Sequence, residues 1–200
     1  MKTLLRVFSM LCFAASLNAN AISIDLIADN SNINLGDNVE VQVRISGLDG
    51  TTALSTYDVN FNYDASLFSI SNIIWGDSVQ GNQLDLLGFG SLQINSSGSS
   101  WQNLFELSFD DVFTLESLQA SEFTLFSILL NTLAIGSGEF SLTANIFGDA
   151  NGNELVADQI NNTQVNITSV SVPEPSSFLL LLAGLLAIAA LRTSMFKSSK

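Results

Sequence analysis

Val39-Glu40-Val41-Gln42-Val43-Arg44-Ile45 alternates branched apolar and polar side chains at every step. A period of two places one set on each side of a pleated strand, so one face meets a core and the other meets water. Tyr57-Asp58-Val59-Asn60-Phe61-Asn62-Tyr63 repeats the pattern, and Phe140-Ser141-Leu142-Thr143-Ala144-Asn145-Ile146 gives it a third time. Ile22–Leu26, Phe105–Phe109 and Val165–Thr168 carry it more briefly, which assigns Phe105, Leu107 and Phe109 to the core side. Phe123–Leu133 is apolar almost throughout and reads as a strand buried on both faces, with a bulge near Phe126-Ser127. Gly136-Ser137-Gly138 is expected to turn that strand into Phe140–Ile146 as a hairpin. Further turns fall at Leu35-Gly36-Asp37, Gly47-Leu48-Asp49-Gly50 and Asn95-Ser96-Ser97-Gly98. Before the tail, helix is limited to one short turn at Leu115–Ala120. About eight or nine strands with frequent turns imply an all-β domain, an antiparallel β-sandwich over residues 22–170.

The ends of the chain are of another kind. Lys2 and Arg6 precede the apolar stretch Val7–Leu17, and Ala19-Asn20-Ala21 fits a cleavage site, so residues 1–21 read as a signal peptide. Cys12, the single cysteine, lies inside it. Cleavage after Ala21 leaves a thiol-free domain that must hold together by its core. Residues 171–200 open with Val172-Pro173-Glu174-Pro175, continue as an unbroken apolar run over 178–191, and end with Arg192, Lys197 and Lys200. As a helix those 14 residues cover roughly 21 Å, short of a ~30 Å bilayer core. Such a segment suits a precursor tethered briefly in the inner membrane better than a permanent anchor.

Between the two signals the charge is one-sided. Residues 22–171 hold 18 acidic side chains against Arg44 alone, a formal net charge of −17. Nucleic acid, with its phosphates, is excluded as a partner.

Catalysis is constrained in the same way. The chain has no histidine, and residues 22–171 have neither lysine nor cysteine. Triads, thiol nucleophiles and His-bound zinc therefore have no residues to use. Carboxylate pairs remain, as in glycan hydrolases, with Asp58, Asp64, Glu106, Asp110 and Asp111 as the acids available. Asp110 and Asp111 are neighbours, and on a strand neighbours point to opposite faces. The reading is therefore of no catalytic residues, with a carboxylate-based glycan hydrolase as the alternative. No cofactor is expected beyond calcium, for which Asp149, Asn151 and Asn153 offer oxygens at alternate positions. That loop departs from the usual calcium loop, because its glycine, Gly152, comes fourth and Ile160 stands twelfth. Trp101 and Trp75 are the candidates for stacking on a sugar ring.

Two resemblances attach to these motifs. The tail, from Val172-Pro173-Glu174-Pro175 to Arg192, resembles the PEP-CTERM sorting domain of Gram-negative bacteria. That resemblance implies an exosortase-type processing protease as a partner and a destination at the cell surface or in an extracellular polysaccharide matrix. Asn34-Leu35-Gly36-Asp37, Tyr57–Asp64, Ala65–Phe68, Ile73-Ile74-Trp75-Gly76-Asp77 and Ser121–Leu125 are similar to segments of cohesin-like domains. This implies a cohesin-like, jelly-roll recognition module. The expected function is an exported binding or structural module that recognises carbohydrate or a surface protein. A purely structural matrix protein is the remaining alternative.

Overall fold

The computed structural model describes residues 22–169 and 180–186. Eleven strands and one short helix occupy the first of these spans. In chain order they are β1 (Ile22–Ala28), β2 (Asn32–Asn34), β3 (Asn38–Ser46), β4 (Leu54–Asn62), β5 (Phe68–Trp75), β6 (Ser91–Ser97), β7 (Trp101–Ser108), α1 (Val112–Leu118), β8 (Glu122–Thr132), β9 (Gly136–Asp149), β10 (Ala157–Asn161) and β11 (Thr163–Thr168). They form a five-stranded sheet ordered β10-β1-β3-β8-β5 and a six-stranded sheet ordered β2-β11-β9-β4-β7-β6. Pairing is antiparallel except for β1 with β10 and β11 with β2. The domain is an all-β sandwich of two packed sheets.

Alternation in the sequence becomes alternation in space. Val39, Val41, Val43 and Ile45 are wholly buried, while Glu40, Gln42 and Arg44 lie on the outer side of β3. In β4 the buried set is Tyr57, Val59 and Phe61. Aromatic rings join the two inner faces: Phe140 of β9 lies 4.8 Å from Phe68 of β5, and Tyr57 lies 5.9 Å from Phe126 of β8. Removing one such buried ring costs about 3–5 kcal/mol, because apolar burial is lost and a cavity remains.

β8 lies between β3 and β5, and both its faces are covered over most of its length. Its ladder with β3 skips Leu125, one residue before the expected bulge. The Leu125 carbonyl accepts instead from the Gly76 N–H at 2.9 Å. A bulge of this kind bends the strand and frees backbone for another partner.

Three expectations change. Phe123–Leu133 and Phe140–Ile146 do not form a hairpin, since β8 belongs to one sheet and β9 to the other. The glycines serve packing instead. A Cβ on Gly138 would stand 2.5 Å from the Phe68 ring, and one on Gly136 would stand 2.8 Å from Leu67. Short β2 and the edge strands β5, β6 and β10 escape periodicity, which brings the count to eleven. Finally, β7 is inverted: Glu106 points inward and is fully buried, with Gln102 and Leu104 on the same side.

Glu106 is tolerated because four donors converge on it. Tyr57 Oη donates to its Oε2 at 2.9 Å, and Gln93 Nε2 donates to its Oε1 at 2.9 Å. Asn82 Nδ2 and Ser91 Oγ also donate to Oε1, each at 2.5 Å. A buried carboxyl group without such donors would cost several kcal/mol. Here it ties β4, β6 and β7 to the loop over 76–90.

The chain divides into two units after Thr168. In the second, residues 180–186 are helical. Among the described residues no helix is long and apolar enough to cross a membrane. The cleavage residues Ala19 and Ala21, the motif Val172–Pro175 and Arg192 lie outside the described residues, as do 178–179 and 187–191 of the apolar run.

Candidate functional site

The inversion of β7 decides what the outer face of the six-stranded sheet presents. Directly opposed residues share a face. One row therefore runs Ile94, Phe105, Asp58 and Ile146 across β6, β7, β4 and β9. The row beside it holds Leu92, Leu107 and Thr56. Leu92, Ile94 and Ile146 are 41%, 50% and 44% exposed, and Phe105 and Leu107 are half-buried. Five large apolar side chains thus occupy adjacent positions on solvent-facing sheet. Phe89 and Phe109, both exposed, flank β6 and β7 at that end.

Toward the other end the rows become amides and hydroxyls. Ser96, Asn103, Asn60 and Thr143 form the next row, and Trp101, Asn62 and Ser141 the one after. Asn103 Nδ2 donates to Asp58 Oδ1 at 2.6 Å and to Asn60 Oδ1 at 3.1 Å. Asn145 Nδ2 donates to the same Asp58 oxygen at 3.0 Å. These bonds fix the amides in a defined order before any partner arrives. Asp58 is the only charged side chain among these rows.

Beyond Asn62 the face ends in an open depression of about 430 Å³. It is lined by Tyr63, Asp64, Ser100, Glu139, Ser141 and Asn162, among others. Asp64 accepts from the N–H and Oγ of Ser66, and these two bonds hold its carboxyl group below the ordinary aspartate range.

The two tryptophans separate. Trp101 begins β7 and is 38% exposed, its indole lying over the turn at Gly98, where a Cβ would come within 2.3 Å of the ring. Trp75 ends β5 and packs inward, its ring 6.5 Å from Tyr57. Of the two tryptophans, only Trp101 offers its ring to solvent at the six-stranded face.

Asp149 starts a closed loop. Its Oδ1 accepts from the N–H groups of Asn151 and Asn153 at 2.9 and 2.7 Å, and its Oδ2 accepts from Asn153 Nδ2 at 3.0 Å. Asn151 turns its amide to Glu116. The carboxylate is thus served by N–H donors, and Gly152 supplies the left-handed turn at φ +83°. Among the described residues no group of three or more acidic or cysteine side chains is placed to hold a metal ion.

The remaining acids occupy separate places. Asp111 caps α1 by accepting from the Thr114 N–H and Oγ1, which lowers its pKa. Asp110 Oδ2 accepts from the Leu86 N–H at 2.6 Å. Glu106 is enclosed, and burial followed by the charge and hydrogen bond of Glu106 pushes the Tyr57 phenol well above its ordinary range. Asp77 is held low, first by the Gln80 N–H. Each of these acids organises a turn, a cap or a core contact.

Comparison with known proteins bears on this geometry. Residues 26–90 match the family model described as the cohesin domain, and residues 171–192 match that of the PEP-CTERM protein-sorting motif. No curated protein sequence matches the chain. The fold is similar to that of a type I cohesin solved in complex with a dockerin from Clostridium thermocellum, with a TM-score of 0.58 and 16% identity over 74% of this chain and 99% of that one. A type II cohesin from the cellulosome of Acetivibrio cellulolyticus gives a TM-score of 0.60 at 13% identity, covering 73% of this chain and 95% of that one. A non-cellulosomal cohesin from the archaeon Archaeoglobus fulgidus gives 0.54 at 15% identity, covering 76% and 94%.

Proposed function

We propose that this cohesin-like domain is the binding part of an exported, PEP-CTERM-sorted protein, and that it takes a protein partner on the outer face of its six-stranded sheet. The observation that carries the reading is the row Ile94, Phe105, Asp58 and Ile146, with Leu92 and Leu107 beside it. An apolar centre bordered by preset amides is the composition of a protein-binding surface. The neighbour solved as a cohesin–dockerin complex offers a model for the partner class, a protein bound by a sandwich of this shape. The role is non-catalytic: Asp58, Asp64, Glu106, Asp110 and Asp111 each serve local structure. An exosortase-type protease would act on the motif at 171–192, delivering the domain to the cell surface or the extracellular matrix.

A second reading concerns carbohydrate. The depression holding Tyr63, Asp64, Glu139 and Asn162 is polar, open and close to Trp101, a composition suited to a sugar ring.

Photo-crosslinking in the native host tests both. A benzophenone amino acid is placed in turn at Phe105, at Asn162 and, on the other sheet, at Gln42. A discrete protein adduct from position 105, absent from 42, is the expected result. A polysaccharide adduct from 162 supports the second reading. Equal labelling at all three positions, or none, overturns the binding-module assignment.

A further inference from the structure

Among the described residues, four strands form the open edges of the two sheets: β10, β5, β2 and β6. Edge strands expose unpaired N–H and C=O groups, and proteins blunt them with charge, proline, bulges or shortness. Three of these edges are blunted. β10 has five residues and includes Asp158, β2 has three, and β5 carries a bulge at Ser71 between Ile70 and Asn72. β6 has none of these devices. Ser91-Leu92-Gln93-Ile94-Asn95-Ser96-Ser97 contains no charge and no proline, pairs with β7 in unbroken register, and is exposed over its last six residues. Its Ser96 carbonyl accepts a side-chain bond from Gln102.

We infer that β6 is a self-association edge, pairing antiparallel with β6 of a second copy about a two-fold axis at Ile94. The inference goes beyond the partner reading: it uses the backbone edge of β6, whereas the partner reading uses the side-chain face to which Leu92 and Ile94 also belong. Copies carrying 18 acids against one arginine over residues 22–171 repel one another overall, and β6, which has no charged side chain, sets no carboxylate against its mate where two copies pair. The sequence of the strand is also self-complementary. Centred on Ile94, it sets Ile94 against Ile94, Leu92 against Ser96 and Gln93 against Asn95. The two isoleucines then continue the apolar row through Phe105 of each copy, while the amides oppose one another on the other side. A two-fold contact of this kind closes as a dimer and does not propagate.

The absence of cysteine from residues 22–171 supplies the test. Full-length protein carrying Cys12→Ser and Ile94→Cys is expressed in its host, recovered from envelope and extracellular fractions, and oxidised mildly. Opposed residues of an antiparallel pair stand roughly 4.5–5.5 Å apart at Cα, within disulfide reach. The expected product is a covalent dimer at ~10-fold or greater yield over Val79→Cys, an exposed loop position used as control. Ile94→Lys, at a half-exposed position, should weaken self-association by about tenfold or more in sedimentation analysis, with an unchanged circular dichroism spectrum. Monomer from Ile94→Cys, or equal cross-linking at position 79, overturns the dimer and leaves the face-binding proposal standing.

Discussion

The two outer faces of the sandwich are built from the same alternating pattern yet differ in chemistry, although the five-stranded face also exposes Ile27 and Ile74 in the row of Gln42. Over the five-stranded sheet the exposed phase of β1 and β3 includes Asp25, Glu40, Gln42 and Arg44, and Arg44 pairs with Glu122 at 2.6 Å. Both partners of that pair are nearly half exposed, so it contributes well under 1 kcal/mol. In the apolar rows of the six-stranded sheet the corresponding phase is Phe105, Leu107, Ile94 and Ile146, and Asp58 is the one carboxylate among them, with Glu139 farther along β9. A charged, solvated face protects a sheet from contact. An apolar face with fixed amides costs solubility and is retained where something covers it. Turning β7 over, with Glu106 inside and Phe105 outside, supplies two of the five apolar side chains of that face, Phe105 and Leu107.

Breaking that inversion should have the largest effect. Glu106→Leu strands the donors of Tyr57, Asn82, Ser91 and Gln93, and should lower unfolding stability by roughly 2–4 kcal/mol in urea titrations. Adding Tyr57→Phe should recover part of that loss, because one orphaned donor disappears. The alkaline limb sharpens the same point. The buried phenol stays protonated in the folded chain where the unfolded chain ionises, so stability holds below about pH 10 and falls as pH rises beyond it. Tyr57→Phe should flatten this limb.

On the face itself, Phe105→Asp should weaken the cross-linked partner by about 100-fold while shifting the melting temperature by only a few degrees. Gln42→Asp on the opposite face should leave affinity within about twofold. A comparable loss from both would show that the faces are not functionally distinct. Smaller still is the effect of the lone carboxylate. Asp58→Asn should change affinity about threefold and abolish most of its salt dependence, measured between low salt and 0.5 M.

The smallest effect lies in the caps and turns. Asp64, Asp77 and Asp111 are all held below the ordinary aspartate range by local N–H and O–H donors. Their stabilisation is present above about pH 4 and is lost as pH falls through the lowered values. Asp111→Asn keeps an N-cap acceptor, so it should be nearly neutral at pH 7 and should shallow the acid limb of a pH–stability curve.

Much of the sandwich was legible because β3, β4 and β11 obey simple alternation, and the doubly buried β8 shows itself by its lack of polar interruption. β7 was misread from the same rule. In Phe105-Glu106-Leu107-Ser108-Phe109 the apolar phase looks inward, and nothing local indicates that a tyrosine 49 residues away will satisfy Glu106. Local pattern fails where distant donors make burial of a carboxyl group possible, and that place is the candidate face. β6 was illegible for a different reason: as an edge with neither side deeply covered, it has no periodic signal to give. The hairpin expectation failed because glycines in Gly136-Ser137-Gly138 make room for Leu67 and Phe68, and sequence alone does not separate that role from a turn.

The near absence of basic residues from the sandwich has a consequence for its resistance to proteases. Between residues 22 and 171, a protease that cuts after lysine or arginine finds one substrate bond, at Arg44. That bond lies in β3, the central strand of its sheet, with Arg44 paired on one side to Asp25 of β1 and on the other to Thr124 of β8. To be cut it must leave both ladders, which requires opening the centre of a sheet. Trypsin-like enzymes in the surroundings would therefore have to wait for unfolding before they could digest this domain.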